Sequence, residues 1–273
     1  MRLKTLIFLA ILSLITSSAE AGLKITCSLF PVYDFARAVT GGSANVHLLL
    51  KPGTEPHEYE PSPMDVKTLN DSDVFIFTGR HMEHWAGHLA DTLTGTAIID
   101  ASENISLTDN DPHIWMDLEK AQAMIRNILE GLCRADPENR EIYTANAESY
   151  CAKFSELDAK FSALPKDKVL VFAGEFSCGY FVRRYGFEYV SAFDGENEPG
   201  VRRLAEVIRY INAHHARFIL SDLPIPPVTR SISEQTGAEI LAFSTAHLVE
   251  DTSRTFLEIM TGNYENLTRV LND

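Results

Sequence analysis

Three short stretches of the chain carry metal-coordinating side chains in places where a fold can hold them. In "PGTEPHEYEPSP", His57 sits in a loop with acids on both sides, fenced by Pro52, Pro56, Pro61 and Pro63. Each proline fixes its own φ and pushes the residue before it toward extended conformations, so the loop is stiff. In "NDPHIWMD", His113 follows Pro112 in an Asp/Asn-rich turn, with Trp115 beside it and Asp117 placed to cap a helix. In "VFAGEFSCGYF", Glu175 comes straight after an apolar run and a glycine, where a carboxylate is costly unless it faces water or a cation. A neutral imidazole binds a metal through one nitrogen while an acceptor holds the other, and the acids near both histidines can serve in that way. Taken singly, each residue also has an ordinary reading: a solvated loop histidine, a turn histidine packed on an aromatic ring, and an acid favoured by a helix N-terminus.

The surrounding pattern predicts elements that deliver these residues. "LKITCSL" and "NVHLLL" predict strands separated by a helix that ends at Gly41-Gly42, and the second strand runs into the His57 loop. Ser62 is placed to cap the next helix. "VFIFTG" predicts a buried strand, "MEHWAGHLADTL" a helix, and "GTAIIDAS" a strand ahead of His113. After "LPKD" the alternation resumes, with strands over "KVLVFAG", "FEYVSAF", "ARFILSD" and "AEILAF" separated by helices, and a closing helix over "SRTFLEIMTGNYENLTRVL". Strand and helix in turn predict parallel sheets built from βαβ units. Such sheets gather ligands beyond the carboxyl ends of their strands, which is where His57 and Glu175 fall.

Between the two alternating halves, residues from Asp117 to about Ala163 include only Gly131 and Pro137 as breakers, and Pro137 occupies a first-turn position after Asp136. Ile142, Ala145, Tyr150, Phe154, Leu157, Phe161 and Leu164 form an apolar stripe close to helical spacing. The expected fold class is α/β: two lobes, each with a mainly parallel sheet flanked by helices, joined by one long rigid helix across a cleft. The expected boundaries are 1–21 for a signal peptide, 22–117 for an N-terminal lobe, 118–165 for a helical connector and 166–273 for a C-terminal lobe.

The opening "MRLKTLIFLAILSLITSSAEAG" has a basic start, a short apolar run and small residues around Glu20, the layout of a secretory signal peptide cleaved near Ala21. The apolar run is too short to span a membrane, so the mature chain is expected to be periplasmic and not inserted in the bilayer. A lipid-anchored alternative would use Cys27, but "KIT" before it lacks the small residue such a cysteine needs. The formal charge is -14; without Arg2, Lys4 and Glu20 the 24 basic and 38 acidic residues become 22 and 37, a charge of -15. That balance argues against nucleic acid and anionic membrane surfaces and is compatible with a cationic ligand. Cys27, Cys133, Cys151 and Cys178 match no zinc ribbon or redox motif. Cys133 and Cys151, on helical segments joined by "ADPEN", are the first pair to consider for a disulfide in an oxidising compartment.

Taken together, "PGTEPHEYEPSP", "DPHIWMD", a strand leading to "GEFSCGYFVRRYG", "ISEQTGAEI" and the closing "FLEIMTGNYENL" resemble the metal-binding solute receptors of bacterial ABC importers for zinc and manganese. The resemblance covers nearly the whole chain after the leader. It implies a single divalent metal ion between the lobes, a membrane permease as partner, and a monomer. It carries the ligand roles onto His57, His113 and Glu175. The fourth ligand in such receptors is usually an aspartate after the last strand. Here "LAFSTAHLVED" offers His247 instead, with Glu250, Asp251 or water as alternatives. Three imidazoles with Glu175 suit Zn2+, and a site with more oxygen ligands suits Mn2+.

The expected function is therefore binding and delivery and not catalysis. A secreted zinc-dependent hydrolase is the rival, since His57, His113 and Glu175 could leave an open position for water. It lacks an HExxH helix and a G-x-S-x-G elbow. An adhesin-like surface protein is a third reading, with no adhesive repeat to support it. His81, His84 and His88 have spacings that put them near one helix face, where solvated residues are the ordinary expectation and a weakly held second metal the alternative.

Overall fold

The computed structural model describes residues 22–174, 176–193 and 199–273. The expected signal peptide and Glu175 lie outside the described residues. The first half builds β1 (Lys24–Cys27), α1 (Phe30–Thr40), β2 (Asn45–Leu48), α2 (Pro63–Asn70), β3 (Val74–Phe77), α3 (His84–Ala90) and β4 (Ala97–Asp100). Its four strands form a parallel sheet in the order β2-β1-β3-β4. Next come α4 (Leu118–Ala135) and α5 (Arg140–Ser162). The second half follows with β5 (Leu170–Phe172), α6 (Gly179–Tyr185), β6 (Tyr189–Ser191), α7 (Val201–His214), β7 (Phe218–Ser221), α8 (Pro227–Thr236), β8 (Glu239–Ala242) and α9 (Phe256–Asn272). Its sheet repeats the arrangement as β6-β5-β7-β8, again parallel. In both sheets the order reverses at the first strand, so each has a crevice beyond its strand ends where loops converge.

Local chemistry explains the element ends. Gly41 turns the chain out of α1 with φ +59°, in the left-handed region that glycine enters without steric cost. Ser62 and Asp65 form a reciprocal capping box at the start of α2, and Thr255 and Glu258 form another at α9. β3 is buried along its whole length, as a central parallel strand covered on both faces should be.

The long helix α5 corrects the expected stripe. Its buried face is Tyr143, Ala147, Tyr150, Phe154, Leu157 and Phe161, whereas Ile142 is 51 % exposed and Ala145 also faces solvent. Counting back from Tyr150 in steps of three and four lands on Ala147 and Tyr143, one residue past Ile142. Tyr143 is further fixed by donating its hydroxyl to Asp136 at 2.7 Å. The disulfide expectation is also corrected, because all four cysteines are free. Ser155 donates to Gln122 across the α4/α5 hairpin, so Cys133 stands opposite residue 144, seven residues short of Cys151. At 1.5 Å per residue that offset is about 10 Å, more than a disulfide spans.

One apolar core runs from the first sheet through α4 and α5 into α6 and α9, and a second, smaller core fills the face of the other sheet under α7 and α8. The lobes therefore share a core and do not merely touch. Asp34 of α1, itself buried, accepts from the Tyr150 hydroxyl of α5 at 2.6 Å and from the Phe256 amide of α9 at 3.1 Å, tying both halves to the strut. Arg184 of α6 adds a second tie, donating to Asp158 of α5 at 2.7 and 2.8 Å and to Glu119 of α4 at 2.8 Å.

Candidate metal centre

The loop after β2 carries His57 half-buried, while Pro56 before it is fully so. The loop is held on both sides. The His57 amide donates to Glu55 at 3.1 Å, and Gly53 donates its amide across to the Val249 carbonyl at 2.9 Å. Further on, Tyr59 donates to Asp65 at 2.8 Å, and its ring packs edge-on against Trp85 at 5.1 Å. The stiff loop expected from its prolines is thus also pinned at its ends.

His113 comes from the segment after β4 and is 5 % exposed. Asp111 meets it twice, accepting from its amide at 3.0 Å and facing its Nδ1 at 2.9 Å. An acceptor on Nδ1 keeps the proton there and presents Nε2 as the lone-pair donor. Burial works against ionisation of Asp111, but the His113 hydrogen bonds and the Arg183 charge outweigh it and hold the carboxyl below its ordinary value. Arg183 stands 3.2 Å from Asp111 and belongs to the other lobe.

His247 follows β8 and is 3 % exposed. Its Nδ1 lies 2.6 Å from the Thr245 hydroxyl. Between them Ala246 takes φ +61°, a left-handed conformation that costs a non-glycine residue on the order of 1 kcal/mol. The Trp115 indole donates to the Thr245 carbonyl at 2.7 Å, so the residue two after His113 is bonded to the residue two before His247 across the lobes.

These loops bring the three imidazoles together from both sheets. His57 Nε2 and His113 Nε2 are 3.3 Å apart, and the ring centroids stand 5.3 Å (57 to 113), 5.6 Å (113 to 247) and 6.4 Å (57 to 247) apart. Two of these pairs are separated in sequence by more than a hundred residues, and the histidines converge because each follows a strand end that faces the shared cleft. Among the described residues no group of three or more histidine, cysteine or acidic side chains is placed so that it could hold a metal ion by itself. Gly174, the chain neighbour of Glu175, sits close enough to β7 that a Cβ on it would stand 2.8 Å from Ser221 Oγ and 3.0 Å from the Asp222 amide. Glu250 and Asp251 are both exposed, and Asp251 accepts from the Ser253 amide at 2.8 Å.

His81, His84 and His88 are all exposed, in keeping with solvated positions on and before α3. The residue between them that sequence reading passed over is Glu83, which is completely buried at the carboxyl ends of β1 and β3. The Thr78 amide donates to it at 2.7 Å. Burial is the dominant influence on its carboxyl and, with the Thr78 amide and the neighbouring Ser28 and Thr78 hydroxyls only partly offsetting, pushes it up to about 7. Its place after Met82 and before exposed His84 gave no periodic signal of burial. Asp222 was also passed over, since in the sequence it is only the acid at the end of a strand.

Two parallel α/β lobes thus share a helical strut, and imidazoles from both converge in the cleft between them. The chain belongs to the ZnuA family, described as zinc-uptake complex component A, periplasmic, whose profile matches residues 25–270. It is 27% identical over 261 residues to the zinc-binding protein AdcA of Streptococcus pyogenes serotype M6, covering 83% of this chain and 51% of that protein. It thus spans about half the length of that relative. It is 25% identical over 275 residues to the high-affinity zinc uptake system protein ZnuA of Bacillus subtilis, covering 90% of this chain and 86% of that one. Among solved structures, the Zn(II)-bound ZnuA-like domain of Streptococcus pneumoniae AdcA aligns with a TM-score of 0.80 at 26% identity, over 92% of this chain and 100% of that domain. No helix among the described residues is long and apolar enough to cross a membrane.

Proposed function

We propose that this chain is an extracytoplasmic receptor that captures a zinc ion in the cleft and hands it to the permease of an ABC importer. The proposed ligands are His57, His113, His247 and Glu175. The observation that carries the reading is the meeting of three imidazoles from three separate loops, two of them with an acceptor or hydroxyl on Nδ1. Membership of the ZnuA family and the zinc-binding names of its relatives support zinc as the cargo. The position of Gly174 against Asp222, beside the Thr245–His247 corner, supports Glu175 as the residue that completes the set.

The donor chemistry favours the same metal. Three imidazole nitrogens and one carboxylate match the tetrahedral nitrogen-rich sites zinc occupies, and such a set ranks zinc above manganese in affinity. Preorganisation lowers the cost of binding: the pinned loop at His57 and the Asp111 contact at His113 have lost freedom before the ion arrives. Because histidine must be neutral to bind, zinc displaces protons, and affinity falls as pH drops through the imidazole range.

The test is native mass spectrometry with elemental analysis on the mature protein, alone and as His57→Ala and His247→Ala, after exposure to equal zinc and manganese. The expected result is one zinc per chain, lost in both variants. Retention of the zinc in His247→Ala would move the fourth position to an acid or water, a manganese preference would overturn the cargo, and no bound metal would overturn the function.

A further inference from the structure

Asp222 lies at the end of β7, close to His247 without bonding to it: its Oδ2 is 3.9 Å from His247 Nδ1. What connects them is Thr245. The Thr245 amide donates to Asp222 Oδ2 at 3.0 Å, and its hydroxyl donates to the same oxygen through a short hydrogen bond. The other carboxylate oxygen accepts from the Leu223 amide at 2.8 Å, so Asp222 is fixed from both sides. Both Asp222 and Thr245 are buried.

A threonine hydroxyl has one proton to give, and a carboxylate offers only acceptors. With that proton committed to Asp222, Thr245 Oγ1 can meet His247 Nδ1 at 2.6 Å only as an acceptor. The imidazole must then carry its proton on Nδ1 and leave the Nε2 lone pair for a metal. The same outcome is reached at His113 by direct contact with Asp111. At His247 it is reached through an intermediary.

We propose that Asp222 is a positioning residue that selects the metal-ready tautomer and ring orientation of His247 through the Thr245 hydroxyl. This rests on the reading of His247 as a zinc ligand. Removing the intermediary lets the ring adopt either tautomer and rotate. Reversing the polarity at 222 lets Thr245 donate to Nδ1 and traps the proton on Nε2. Outer-shell partners of metal-bound histidines typically govern affinity by ten- to hundredfold, which sets the expected size.

The experiment uses metal-free protein with 15N-labelled histidine, read by long-range proton–nitrogen correlation at a pH where the ring is neutral, followed by zinc titration against a competing chelator. Wild type should show His247 protonated on Nδ1. Thr245→Val should give mixed tautomers and a ten- to hundredfold weaker hold on zinc, Asp222→Asn should shift the His247 proton toward Nε2 with a similar loss of affinity, and Thr245→Ser should keep both wild-type readouts. A wild-type His247 protonated on Nε2 overturns the proposal, as does a Thr245→Val protein that keeps the Nδ1 proton and full zinc affinity. If Thr245→Val does not fold, Asp222→Asn and the wild-type tautomer decide. Wild type that shows the expected tautomer yet takes up no zinc would sink the receptor reading and leave the relay standing.

Discussion

Replacing Glu83 by glutamine should make the protein more stable at pH 8 and change it far less at pH 5. The carboxyl is completely buried and has an ordinary value of 4.5, but the fold holds it at about 7. In the unfolded chain it ionises near its ordinary value. Between the two values the native state keeps a proton that the unfolded state has released, so stability falls as pH rises through this window. Each decade of proton affinity is worth about 1.4 kcal/mol, so the penalty reaches about 3 kcal/mol once pH exceeds the folded value. Part of it is already present at pH 5, so the gap between wild type and variant should widen by about 2–3 kcal/mol from pH 5 to pH 8. Glutamine is nearly isosteric with the protonated acid and its carbonyl can still accept from the Thr78 amide, now at 2.7 Å from the carboxylate. The assay is urea unfolding of metal-free wild type and Glu83→Gln at both pH values; using the difference cancels the histidines, which both proteins share. In thermal scans the widening corresponds to about 4–12 °C for a chain of this size. A variant that is less stable than wild type at pH 8, or a gap that does not change with pH, would refute the assignment of a buried, reluctantly ionised carboxyl.

Asp111→Asn should weaken zinc binding ten- to hundredfold, measured by chelator competition, because the acceptor that orients His113 Nδ1 loses its charge; unchanged affinity would mean the contact is incidental. Phe154→Ala, in the shared core and stacked on Phe256, should cost about 3–5 kcal/mol, while Ile142→Ser on the exposed side of the same helix should stay within about 0.5 kcal/mol. Equal effects at the two sites in denaturant unfolding would contradict the burial of α5. Ser62→Ala removes one half of a capping box and should cost about 1 kcal/mol. Peptide mapping without reductant should recover Cys133 and Cys151 as separate thiols; a crosslink between them would show that the α4/α5 register is wrong.

The sequence by itself determined the alternating elements, the two-lobe architecture and the places of His57 and His113. Those features are local: apolar runs of strand length, a serine three residues before an acid, glycines past helix ends, and prolines that stiffen a loop whatever it packs against. It also put His247 among the candidates through family resemblance. Only the tertiary structure decided which face of α5 is buried, because stripes offset by one residue are equally helical until α1, α4 and α9 select one. Only it placed Cys133 and Cys151 out of reach, since helix register across a hairpin depends on packing and not on spacing from the turn. Glu83 and Asp222 carry no local mark of their roles. One is buried by the switch in strand order of the first sheet, and the other meets Thr245 because β7 and β8 run side by side, so both are products of contacts between residues far apart in the chain.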